Sequence, residues 1–113
     1  MSELSPEDAK LVTLARATRA RTGATHGAAV RDADGRTYAG ATVALPSLRV
    51  SAIGVCVAMA VASGSSGLEA AVVLGDDVDV AAEDLAALAD LGGSGVPVHV
   101  GDVRGRVVRT TAT

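Results

Sequence analysis

Few residues in this 113-residue chain could carry chemistry, and their spacing narrows the choice. The metal-binding candidates are two imidazoles, His26 and His99, and one thiol, Cys56. A tetrahedral zinc site needs three or four such ligands, usually supplied in part by short pairs such as H-x-x-x-H or C-x-x-C. None of the three has a partner at that spacing, so the fold would have to gather them from distant strands. In the competing reading each histidine is hydrogen-bonded or exposed on its strand, and Cys56 is a small core hydrophobe. Carboxylates cluster at Asp76, Asp77 and Asp79, directly after an apolar run. At the carboxyl edge of an α/β sheet they could hold Mg²⁺ or another hard cation and serve a metal-dependent hydrolase. Otherwise they form a solvated loop that complements the dipole of the next helix.

The hydroxyls and glycines read as structural. Ser47, Ser51, Ser65 and Ser66 stand in no G-x-S-x-G, so capping and turn roles account for them. Gly92-Gly93-Ser94-Gly95 lacks the Lys-Ser/Thr of a phosphate loop and precedes a strand. Arg104, Arg106 and Arg109 have no interleaved aromatics and read as a charged edge that resists sheet-to-sheet pairing.

These groups need a scaffold, and the length fits one domain, 1–113, with a single core. Apolar residues make up 49% of the chain but Tyr38 is its one aromatic, so Ala, Val, Leu and Ile must fill that core. A net charge of −3 offers no general attraction to nucleic acid or to an anionic membrane. The run from Val50 to Ala62 falls short of the ~20 residues a membrane span needs and reads as a buried helix. The acidic start, Met1 to Asp8, has no apolar signal core, and one cysteine allows no intrachain disulfide; a cytoplasmic location is expected.

Ser5-Pro6-Glu7-Asp8 combines an N-cap serine, a proline at the first helical position and early acids, which predicts a helix running to Gly23. Leu11, Leu14, Ala15 and Thr18 are expected on its buried face, with Arg16, Arg19 and Arg21 complementing its C-terminal dipole. Ala24 to Arg31 and Arg36 to Ala44 read as a hairpin turning at Asp32-Ala33-Asp34-Gly35, with Pro46 and Ser47 breaking its second strand. A helix to Ser63, a strand over 68–74, a helix over 81–91, a strand over 96–100 and an edge strand over 106–110 follow. The order α-β-β-α-β-α-β-β predicts an α/β sandwich around a mixed sheet.

With the hairpin in place, the chain resembles the small cytidine deaminases. Gly27-Ala28-Ala29-Val30, Asp34-Gly35-Arg36-Thr37-Tyr38-Ala39-Gly40 and a long buried helix ending at Ala62-Ser63-Gly64 occur in that family's order. The resemblance implies a three-layer α/β/α sandwich, assembled as a homo-oligomer, dimer or tetramer. It also implies zinc, held at two helix N-termini by Cys-Ala-Glu or His-Ala-Glu and by Pro-Cys-x-x-Cys, with the glutamate moving protons.

This chain departs from the pattern at each of those places. The first motif's register falls on Ile53-Gly54-Val55, or on Cys56 after a slip that puts Ala58 at the glutamate, and the second falls near Val78 to Glu83. A chain with one cysteine has no Cys-x-x-Cys under any alignment. The family's base-stacking position corresponds to Ala24, and its ribose-binding positions to Thr42 and Ala44. The expectation is a protein with no cofactor and no deaminase catalysis, acting by assembly or by binding an unidentified protein partner. A nucleoside- or nucleotide-binding sensor without turnover is the alternative.

Overall fold

The computed structural model describes residues 4–113; Met1, Ser2 and Glu3 of the acidic start lie outside the described residues. Helix α1 (Pro6–Thr22) begins where Ser5 Oγ accepts from Asp8 N at 3.1 Å and stops at Gly23, whose φ of +67° supplies the left-handed cap. Leu11, Ala15 and Thr18 are buried. Leu14 is not: it stays 36% exposed, because it lies about 60° round the helix from Leu11, beyond the strip that touches the sheet.

Strands β1 (His26–Asp32) and β2 (Thr37–Ala41) pair antiparallel. Their turn is built by Asp32, whose side chain is fully buried. Its Oδ1 accepts from Asp34 N and Arg36 N, and its Oδ2 accepts from Arg36 Nε and from Ser65 Oγ, while Gly35 takes φ +84°. Ser65 is the first cause, and the backbone donors add to it, of an Asp32 carboxyl held below the ordinary carboxylate range.

The second predicted strand is corrected. It ends at Ala41, because Thr42 N donates to His26 O and Thr42 Oγ1 accepts from His26 N at 3.0 Å, anchoring the chain as it leaves the sheet. Strands β3 (Val43–Leu45) and β4 (Leu48–Val50) then form a separate two-stranded hairpin, and Pro46-Ser47 is its turn. Helix α2 (Ala52–Ala62) therefore starts two residues later than Val50.

The remaining elements are β5 (Leu68–Gly75), α3 (Ala82–Gly92), β6 (Pro97–Gly101) and β7 (Val107–Ala112). The main sheet has the order β2-β1-β5-β6-β7; β5 and β6 are parallel, joined through α3, and the other pairs are antiparallel. Helix α1 packs on one face, over Ala29, Ala70, Val72 and Leu74; α2 and α3 cover the other, over Ala28, Ala71, Val73 and Val98. The result is the three-layer α/β/α sandwich around a mixed sheet. Alanines at its centre let helix backbones approach closely, so a core without large aromatics still excludes water. No helix among the described residues is long and apolar enough to cross a membrane.

Candidate functional site

On the α2 and α3 face a cavity of about 170 Å³ opens between the N-termini of those two helices. His26, Ser51, Ile53, Asp79, Val80 and Asp84 are among the residues that line it. Ser51 is the reason α2 starts there: its extended backbone sets the cap, and its Oγ accepts from Gly54 N at 2.9 Å. The same hydroxyl donates to Asp84 Oδ1 at 2.7 Å. Ala81, the cap of α3, gives that helix no side-chain acceptor, and Glu83 and Asp84 supply negative charge in its first turn. Asp84 thus stands between two helix ends that both favour an anion, joined to one of them by a neutral hydroxyl.

Ser51→Ala is expected to lower unfolding free energy by about 1 kcal/mol, the usual worth of an N-cap, because the α2 cap and the bridge to Asp84 are lost together. Urea denaturation with an unchanged slope checks this.

His26 enters the same cavity from the start of β1. Gly75 makes room for its ring, since a Cβ there would lie 3.1 Å from His26 Nε2. This nearness of His26 to Ser51 and Asp84 was not readable from spacing. Ile53 is buried in the cavity wall, whereas Ala24, Thr42, Ala44, Gly54, Val55 and Cys56 do not line it. The Thr42 hydroxyl is committed to His26, and Ala44 is exposed on β3. Val55 and Cys56 sit over Gly40, whose missing side chain accommodates both.

Cys56 is fully buried, and desolvation pushes its thiol up to about 12. Roughly 10⁻⁴ of it is thiolate at pH 8. A disulfide reagent is expected to label the native protein far more slowly than the urea-unfolded chain, with one thiol titrated after unfolding.

The three metal candidates lie apart. Cys56 faces α2's side of the sheet, His26 lies at the cavity, and His99 lies on the α1 face with Nε2 2.8 Å from Asp8 Oδ2. Asp76 and Asp77 are exposed, Asp77 at φ +48°, while Asp79 is exposed at the cavity rim. Among the described residues, no three His, Cys, Asp or Glu side chains come together as a group able to hold a metal ion. Ser47 and Ser66 are exposed in connections, and Ser65 holds Asp32. Gly92 ends α3, and Gly93 and Gly95 turn the chain at positive φ. Arg109 Nη2 donates to Val78 O at 2.9 Å, Arg106 pairs with Asp102, and Arg104 is exposed, all beside the edge strand β7.

A mixed sheet with one helix behind it and two helices whose N-termini converge on a cavity in front defines the cytidine deaminase architecture. The chain superposes on the cytidine deaminase of Burkholderia pseudomallei with a TM-score of 0.81 at 22% identity, covering 96% of this chain and 93% of that one. The Mycobacterium leprae cytidine deaminase gives 0.73 at 23% identity, over 95% and 94% of the two chains. The family model "Cytidine deaminase-like" matches residues 4–105, and the chain belongs to that family. No curated protein matches it by sequence.

Proposed function

We propose that this cytidine deaminase-like protein has given up zinc-dependent deamination and acts by oligomeric assembly or partner binding. The carrying observation is what occupies the two helix N-termini. The positions that would present thiolates and a glutamate carry Ile53, Gly54 and Val55 on α2 and the cysteine-free stretch Val78 to Glu83 at the start of α3, and a Ser51–Asp84 hydrogen bond spans the gap. Zinc does not fit this donor set. Thiolate is absent from it, Asp84 already accepts a hydrogen bond, and one imidazole with separate carboxylates is a poor substitute for three converging ligands.

Assembly is supported by surface that a monomer leaves uncovered. Helix α2 carries no charged residue, yet its Val61 is 57% exposed, and Leu45 and Leu48 on the neighbouring hairpin are 56% and 53% exposed. Light scattering is expected to give a dimer or tetramer; a monomer at micromolar concentration would count against assembly. Thermal-shift measurements with cytidine and with nucleotides test the sensor alternative, since any ligand of the folded state must raise its stability. No shift is expected at saturating ligand.

A further inference from the structure

On the opposite face of the sheet, α1 and β7 border a groove of about 690 Å³. Thr110 and Val108 of β7 line it together with Leu4, Asp8 and His99. Thr110 is exposed in the groove, whereas His99 behind it is only 7% exposed. Thr110 Oγ1 lies 2.8 Å from His99 Nδ1, and His99 Nε2 lies 2.8 Å from Asp8 Oδ2. Asp8 is itself held: Arg31 Nη2 stands 2.9 Å from its Oδ1, and Arg31 Nε donates to Glu69 Oε1 at 2.7 Å. Burial opposes ionisation of Asp8, but the contacts with His99 and Arg31 outweigh it and keep the carboxyl below its ordinary range.

An ionised carboxylate only accepts, so the His99 nitrogen facing it, Nε2, is the one that carries a proton in the neutral tautomer the relay uses. The lone pair on Nδ1 is then left to accept the Thr110 hydroxyl proton. The strand register adds a second donor. Thr113 N donates to Val96 O just beyond the paired ends of β7 and β6. By the alternation of an antiparallel pair, Thr111 and Arg109 also turn their N–H groups toward β6. The N–H of Thr110, between them, therefore points off the free edge of the sheet, beside its own hydroxyl.

We propose that Thr110, His99 and Asp8 form a hydroxyl–imidazole–carboxylate relay that accepts the acyl group of short-chain carboxylic esters. Thr110 Oγ1 attacks the ester carbonyl carbon and its proton passes to His99 Nδ1. The oxyanion forms where the Thr110 N–H can donate to it. The carbon–oxygen bond to the alcohol breaks, and the leaving oxygen takes the proton from Nδ1. Water then attacks the acyl-threonine, again giving a proton to His99, and releases the carboxylic acid with the hydroxyl restored. Asp8 is a positioning residue, since it acts through His99. This site is independent of the α2 and α3 cavity.

The probe is 4-nitrophenyl acetate with the full chain. Release of 4-nitrophenolate above buffer and, after acid quench, an acetyl group on the Thr110 peptide by mass spectrometry are expected. Thr110→Ser keeps both, Thr110→Val removes both while the chain still folds and unfolds cooperatively, and His99→Gln slows release by about 10²-fold or more. No release above buffer, or acetylation confined to Lys10 or the chain's amino group and unchanged in Thr110→Val, would overturn the proposal.

Discussion

Gly27→Ala is expected to destabilise the protein by about 1–3 kcal/mol, the cost of forcing atoms into a close-packed core. Gly27 lies on β1 directly under α1, and a Cβ there would stand 2.6 Å from Arg19 Cβ and closer still to Ala15 O. Both obstacles are fixed: one is helix backbone, the other the root of a side chain, so no rotamer change relieves the clash. The helix must lift from the sheet, opening contacts of Leu11 and Ala15 with Ala29 and Val72. Thermal denaturation is expected to show a fall of roughly 5–15 °C. Gly67→Ala is the control: its Cβ would meet only Ala33 Cβ at an ordinary 3.4 Å, so its effect stays within about 0.5 kcal/mol. Equal stability of Gly27→Ala and the parent would mean that α1 does not pack this closely.

Leu88→Ala is expected to cost about 2–5 kcal/mol. Leu88 is the one fully buried residue of α3, with Leu85 and Leu91 half-buried beside it against the core. Truncating it leaves a cavity under the helix and removes the contact that sets α3's height above the sheet. Because Asp84 lies one turn earlier, the Ser51–Asp84 bridge is expected to loosen as well. Amide exchange in α3 should then accelerate more than in α1, which packs on the other face. A loss below about 1 kcal/mol would show that α3 is held by something other than this anchor.

The elements that were legible in the sequence are those with local causes. Ser5-Pro6 and Gly23 bound α1, and Asp34-Gly35 turns the first hairpin, because caps and turns are written in adjacent residues. The order of apolar runs gave an α/β sandwich around a mixed sheet, and its three layers were an implication of the resemblance to the small cytidine deaminases. What was missed depends on partners far apart in the chain. Thr42 ends β2 through His26, 16 residues away, and nothing in the short β3 and β4 segments signals a separate pair. Leu14 matched the helical period but not the width of the alanine-lined strip beneath it.

The chemistry was least legible for the same reason. Asp84 meets Ser51 across 33 residues and Asp8 meets His99 across 91, so neither pair leaves a spacing motif. One signal was present, however: the pattern D-x-x-G-R occurs at Asp32 to Arg36 and again at Asp102 to Arg106. Both Asp side chains accept from backbone two and four residues ahead, and Gly35 and Gly105 take φ +84° and +88°. Reading that repetition would have identified the two carboxylate-held turns, one after β1 and one before β7, but not the burial of Asp32, since the Asp102 side chain is 31% exposed.

The proposed loss of zinc chemistry at the paired helix N-termini of this cytidine deaminase-like chain is decided by elemental analysis of the protein purified without chelator, combined with a cytidine-to-uridine assay with and without added zinc. The expected result is no stoichiometric zinc and no uridine above buffer under either condition. One zinc per chain together with uridine formation would contradict it.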